Sequence, residues 1–324
     1  MSLVDAFRIL AKQSTKPNIK KIYDLIVYDL LSGESLSTAF EHQPKVFPKL
    51  LTNMVRSAEL TGDLPAILDD MADYYTSIDK TKKELKSAMT YPTIVLIMAV
   101  AVIVFVLRYI VPQYVEMFSS WSDNLPKITL MTISFSNFLQ EYLLQIIIII
   151  IMILLLYLYW FKNVKSFRYL MQSIYLKIPV VKNIIMYSEV SMFSKTFASL
   201  LNHGVFITDS MEILSKITNN EVYKNIIAKT LNNLSKGDSI SSAFKDEWAI
   251  PIVAYEMLVT GEKTGQLGLM MEKVADHFQE LHKTMINQMK SLIEPLMIVV
   301  LAVIVGIILL SIVVPMFDIY GKIQ

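Results

Sequence analysis

The chain has 324 residues, 54% of them hydrophobic and only 18% charged, with a formal net charge of +1 and no cysteine. A soluble domain carries about 25% charged residues, so the deficit points to lipid-facing segments rather than a simple soluble enzyme. The near-zero net charge gives no footprint for nucleic acid, and the absence of cysteine excludes disulfides, thiolate-bound zinc and a cysteine nucleophile.

The N-terminus, MSLVDAFRILAKQSTK, mixes charges into its first turns and lacks the apolar core of a signal peptide. Residues 1–86 read as helices, because apolar side chains recur every three or four positions. Leu51, Met54, Val55 and Ala58 form one such stripe, and Ile67, Leu68, Met71 and Tyr75 another. Gly33 fits a left-handed residue closing one helix, and Ser35 an N-cap opening the next. Pro48 fits a first helical turn. Gly62 ends that helix, and Asp63 is placed to cap the one holding Pro65.

Three uncharged runs then stand out: Ser87 to Leu107, Tyr142 to Phe161 and Pro295 to Phe317. A helix needs about 20 apolar residues to cross a bilayer core. A buried helix of a soluble core rarely shows so long an uncharged run once, let alone three times. Tyr142, Tyr157, Tyr159 and Trp160 flank the second run as an interfacial belt would. Lys80, Lys82, Lys83 and Lys86 crowd the entry to the first run, and Lys162, Lys165, Arg168, Lys177 and Lys182 follow the second. Residues 112–141 hold Lys127 as their one basic residue. That asymmetry predicts the basic segments to be cytoplasmic; Arg108, at the outer end, goes against the bias and snorkels to the interface. The expected order is a cytoplasmic helical domain (1–86), a span (87–111), an outer loop (112–141), a span (142–161), a second cytoplasmic helical domain (162–294), a span (295–317) and a short outer tail (318–324). The fold class is therefore all-α and polytopic, with two cytoplasmic helical bundles and three transmembrane helices.

The two arms are copies of each other. Gly33-Glu-Ser-Leu-Ser-Thr-Ala-Phe40 matches Gly237-Asp-Ser-Ile-Ser-Ser-Ala-Phe244. Further on, Pro48 matches Pro251, Glu59 matches Glu262, Gly62 matches Gly265, Leu64 matches Leu267 and Pro92 matches Pro295. Over residues 48–92 there are 11 identities in 45 gapless positions, against about three expected from composition. Asp5 to Leu10 match Asp209 to Leu214, so arm one begins where arm two is already one helix in; the first bundle is expected to be trimmed. Ser239 is the matching N-cap in arm two, and both copies face one side, with the second span restoring it.

Both boxes, Gly-x-Ser-(Leu/Ile)-x-x-Ala-Phe and Glu-x-Thr-Gly-x-Leu, occur twice at matched distances from a span. With the duplication and the three spans, the chain resembles the type II secretion F / type IV pilus PilC family. The resemblance covers nearly the whole chain. It departs at Pro179-Val-Val-Lys182, where lysine stands in place of the glycine of many relatives, so the turn is expected to differ. It implies a non-enzymatic platform in the bacterial inner membrane; the lysine asymmetry predicts a cytoplasmic N-terminus and an outer C-terminus. The implied partners are a cytoplasmic assembly ATPase, pilin or pseudopilin subunits, other inner-membrane assembly proteins, the lipid bilayer and further copies of the chain. It implies no nucleic acid and no cofactor. The motif residues carried by it are Gly33, Ser35, Ala39, Phe40, Glu59, Gly62 and Leu64, with Gly237, Ser239, Ala243, Phe244, Glu262, Gly265 and Leu267. Other readings are a membrane scaffold of another envelope complex or a small transporter; the latter needs ionisable groups in its spans, whose interiors hold no Asp, Glu, Lys or His.

Glu59 and Glu262 sit in the last turn of their helices, where a carboxylate opposes the helix dipole. Such a position calls for a partner: a neighbouring helix N-terminus, a lysine or, more weakly, a metal ion. A structural cap is the preferred reading, and catalysis the least. Gly261-Glu-Lys-Thr-Gly265 lacks the spacing of a phosphate loop, and His277 and His282 are five apart rather than four, as a zinc-binding helix would need. Both histidines are expected on solvated faces. Lys80, Lys82, Lys83 and Lys86 either orient the first span or meet acidic head groups.

Overall fold

The computed structural model describes residues 1–113 and 127–323, and all regular structure among them is helical. The helices are α1 (Leu3–Gln13), α2 (Pro17–Leu31), α3 (Leu36–Glu41), α4 (Lys49–Thr61), α5 (Leu64–Phe105), α6 (Lys127–Asn163), α7 (Lys165–Tyr175), α8 (Val181–Asn202), α9 (Ile207–Ile217), α10 (Glu221–Ser235), α11 (Ile252–Thr264) and α12 (Leu267–Ile323). A π turn, Val106–Ile110, prolongs α5, and a 3-10 turn, Ile240–Ala243, lies between α10 and α11.

The duplication reappears element by element. α1 to α5 correspond in order to α9, α10, the 3-10 turn, α11 and α12. The helix ends agree too. Gly33 and Gly237 both take positive φ, +88° and +83°. In each copy the glycine N–H and the next N–H reach back to the carbonyls of the helix end: Gly33 to Leu30 and Glu34 to Asp29, Gly237 to Leu234 and Asp238 to Asn233. That is the paired bonding that closes a helix through a left-handed residue. Pro48 and Pro251 are extended N-caps, with ψ 150° and 140°, rather than first-turn residues.

Two compact units divide the chain. The first holds residues 1–81 and 169–283, so both arms, expected as separate bundles, share one body. Met54, Ile67 and Met71 of the first copy lie in one apolar cluster with Val190, Phe197 and Leu214 of the second. The first copy keeps a smaller cluster of its own around Ile26, Leu36, Phe40 and Val55, closed by Phe40 stacked on Phe47 at 4.0 Å. The physical reason is that α4 and α5 carry two apolar faces, one for their own copy and one for the other. α8 serves both copies. Its Thr196 hydroxyl donates to Tyr74 Oη of α5 (2.9 Å), and its Ser191 hydroxyl donates to the Ala275 carbonyl of α12 (2.9 Å). At its C-terminal end His203 pairs with Asp70 (2.8 Å), and Ser57 donates to the His203 carbonyl (3.2 Å).

His282 departs from expectation. His277 is exposed, but His282 is buried at 4% exposure. It falls one turn beyond Phe278 on the stripe of Met271, Ala275, Phe278 and Ile286, so the helical repeat turns it inward. The turn at Pro179–Lys182 is also distinctive. Val180 has φ 71° and ψ −55°, and the Val181 N–H donates to the Pro179 carbonyl at 2.9 Å. This is the strained form of the γ-turn, rare for a β-branched residue.

The second unit takes in the described parts of 82–168 and 284–324. Three helical stretches are long and apolar enough to cross a membrane: Leu64–Gln113, Ile133–Asn163 and Leu267–Leu310. Their apolar side chains point outward; Ile148, Leu155 and Leu296 are each at least 60% exposed. The first and third do not follow a linker. Each is the continuation, without a break, of the last helix of its arm. Of the expected outer loop, 114–126 lie outside the described residues, and 127–141 are the beginning of α6. In the π turn, the Leu107 carbonyl accepts from the Ser136 hydroxyl of α6, a side-chain bond of the kind that accompanies such irregular turns.

Candidate functional site

The two sequence boxes meet in space, once in each copy. α4 delivers Glu59 to the start of α3. There Oε1 accepts from the Ser37 N–H (3.1 Å) and Oε2 from the Ser37 hydroxyl (2.6 Å). In the second copy α11 delivers Glu262 to the 3-10 turn. Its Oε1 accepts from the Ile240 N–H (2.7 Å), and its Oε2 from the Ser241 N–H (3.2 Å) and the Ser241 hydroxyl (2.6 Å). Bonds to an ionised acceptor are stronger than neutral ones. They offset the unfavourable position of each carboxylate at the C-terminal end of its own helix and occupy N–H groups that a helix start leaves without partners.

The serines predicted as caps differ between copies. Ser35 accepts from the Thr38 N–H (3.2 Å), as an N-cap should. Ser239 makes no such cap; its hydroxyl meets that of Ser241 at 3.2 Å. The equivalent amide in the second copy, that of Ser242, instead donates to the Ser239 carbonyl at 3.3 Å within the 3-10 turn, so the Ser239 hydroxyl does not receive it. Ala39, Phe40, Ala243 and Phe244 are buried beneath these clasps. Leu64 is partly buried and Leu267 buried, each just past the left-handed Gly62 or Gly265. The motif residues thus divide: Glu and Ser tie two elements together, Ala, Phe and Leu fill the core below, and Gly permits the turns. Both oxygens of each glutamate already accept from N–H or O–H donors, an arrangement suited to hydrogen bonding rather than to holding a cation. Among the described residues no group of three or more metal-ligating side chains occurs.

Other functional-looking groups carried no local signal. Glu189 of α8 lines a small cavity with Met192, Phe193, Leu214 and Tyr223. Burial pushes its carboxyl up to about 7. Burial likewise pushes the Tyr223 phenol well up, and its hydroxyl donates to the buried Ala249 carbonyl at 2.7 Å, fixing the turn before α11. The tyrosine of the Tyr74–Thr196 pair is raised by burial as well, against the opposing hydrogen bond from Thr196. These contacts join residues far apart in sequence. A glutamate standing alone between Glu141 and Asp209 was the one available hint.

A duplicated helical body whose terminal helices run on as membrane-length apolar rods defines a polytopic helical membrane protein built around paired structural clasps. The chain belongs to the type II secretion system (T2SS) protein F family, whose sequence profile matches residues 1–112 and 193–315, one block in each copy of the repeat. It is similar to the type IV pilus assembly protein PilC of Pseudomonas aeruginosa, at 30% identity over 316 residues, 98% of this chain and 84% of the relative. It is also similar to the type IV pilus assembly protein PilC of Thermus thermophilus, at 30% over 325 residues, 100% of this chain and 80% of the relative. Similarity extends to the type II secretion system protein F of Aeromonas hydrophila, at 26% over 324 residues, 100% of this chain and 83% of the relative.

Proposed function

We propose that the chain is the inner-membrane platform of a type IV pilus or type II secretion machine. The observation that carries this reading is similarity along the whole chain to proteins named for those two machines, together with a duplicated clasp at matched distances from two membrane rods. In this reading residues 1–86 and 162–294 face the cytoplasm, as their lysines favour, the N-terminus is inside and the C-terminus outside. The clasped arms offer surfaces to a cytoplasmic assembly ATPase. The apolar rods offer a path along which pilin or pseudopilin helices reach the filament base, and further copies of the chain complete the platform. The motor is a separate protein, because the glycine-rich Gly261–Gly265 segment is not built to cradle phosphate. The motif residues from Gly33 to Leu64 and from Gly237 to Leu267 hold these surfaces in shape rather than performing chemistry.

Deletion of the gene tests the reading. Loss of filaments or of secretion, with pilin or pseudopilin still made and processed, is the expected result. Normal filaments and normal secretion in the deletion strain would overturn it. Site-directed crosslinking between the second arm and the ATPase then tests the partner.

A further inference from the structure

The contact between the two copies uses each of them differently. α4 of the first copy packs on α9 of the second, and Leu50, Met54 and Ala58 of the one share an apolar cluster with Met211, Ile213 and Leu214 of the other. Through the duplication α4 corresponds to α11 and α9 to α1, so the chain carries a second set of the same two faces. Within the chain that set stays uncovered. Leu50 is 3% exposed, but its counterpart Val253 is 47% exposed; Leu214 is 1% exposed, but its counterpart Leu10 is 42% exposed. Ile9, the counterpart of buried Ile213, is exposed too, and so is Ile252 beside Val253.

Apolar side chains grouped at positions open to water mark a contact surface, and duplicated units associate by reusing the contact between neighbours. The charges say which partner fits. In the contact made inside the chain, α4 is net positive, with Lys49 and Arg56 against Glu59, and α9 is net negative, with Asp209 and Glu212 against Lys216. In the unused set both signs are reversed together. α11 is net negative, with Glu256 and Glu262 against Lys263, and α1 is net positive, with Arg8 and Lys12 against Asp5. Glu256, Arg8 and Lys12 are exposed, and Glu256 lies one turn from Val253, on the same face. Opposite charge therefore favours α11 on α1 and like charge disfavours α11 on α9, or α4 on α1.

We propose that α11 of one chain seats on α1 of a second copy, repeating between chains the contact that α4 makes with α9 inside one. Val253 takes the place of Leu50, and Ile9 and Leu10 take the places of Ile213 and Leu214. The contact joins unlike faces, head to tail, so each chain offers one face of each kind. It goes beyond the platform reading, in which further copies have no assigned surface, and it rests on the duplication whichever machine the chain serves.

The chain has no cysteine, so single thiols need no background removal. Leu10→Cys and Val253→Cys variants of the full chain, carrying different tags, are co-expressed, and the membranes are treated with a short bismaleimide. The expected result is a crosslinked pair holding both tags when the two variants are mixed, and no crosslinked pair from either variant alone. Leu60→Cys, exposed near the C-terminal end of α4, serves as the collision control and should not crosslink to Val253→Cys. Glu256→Lys, added to the Val253→Cys chain, should lower the mixed yield about fivefold. A mixed yield no higher than the control would leave the two faces to another protein or to lipid, and equal crosslinking within each single variant would mean a like-on-like contact. Either result, or an unchanged yield with Glu256→Lys, overturns the proposal. None of them bears on whether the deletion strain loses filaments or secretion, so the two readings fail separately.

Discussion

Replacing Glu262 with alanine removes three hydrogen bonds at one stroke, at 2.7, 3.2 and 2.6 Å. Bonds to a charged acceptor contribute about 1.5–3 kcal/mol each when well sheltered. This carboxylate is only partly buried, so water recovers much of that, and a total near 2 kcal/mol follows. Glu59 accepts two bonds and is more exposed, so Glu59→Ala should cost about half as much. Hydrogen exchange in the full-length protein reads the loss locally. Peptides covering 237–251 should exchange about thirtyfold faster in Glu262→Ala, the rate equivalent of that energy where exchange follows opening. Ser241→Ala should give a smaller acceleration, and the double variant should match Glu262→Ala alone, because the hydroxyl acts through the carboxylate. Unchanged exchange in 237–251, or strictly additive effects of the two substitutions, would refute the clasp as the element that holds this turn.

Burial raises the Glu189 carboxyl from its ordinary 4.5 to about 7, so the folded protein favours its neutral form. The stability it contributes is fully present below about pH 4.5 and is lost as pH rises through about 7; Glu189→Gln should flatten this decline, seen as a smaller gap between melting temperatures at pH 5 and pH 8. Tyr223→Phe leaves the buried Ala249 carbonyl without its donor and should lower stability by about 1–2 kcal/mol in a denaturant titration. Val180→Gly relieves a left-handed β-branched residue. It should stabilise the protein by about 1 kcal/mol, strain relief exceeding the entropic cost of glycine, and appear as a raised melting temperature.

Features set by neighbours in sequence were legible beforehand. Uncharged runs marked the membrane-length helices, because length and apolarity suffice for that inference. The glycines at 33, 62, 237 and 265 marked left-handed helix ends, because few other residues take that conformation. The clasp partner was left open among three candidates, since nothing in the spacing says that Glu59 reaches Ser37 rather than a lysine. The shared core was hidden for the same reason. Met54, Ile67 and Met71 read as parts of the apolar stripes of their own bundle, and only the fold reveals that they face the other copy. His282 was expected on a solvated face, whereas its own stripe with Phe278 and Ile286 turns it inward. Ser239 shows the limit of the repeat: identical residues in a shorter turn make different bonds.

The continuity of α5 and α12 sets how force passes through the molecule. A helix without a loop has no swivel, so a twist applied near Leu64 or Leu267 is delivered along the shaft. The two helices also carry a matched proline pair, Pro92 and Pro295, where the ring forfeits a backbone bond and bending is cheapest. The duplication therefore repeats, in one register, both the unbroken passage from arm to apolar helix and the proline set into it.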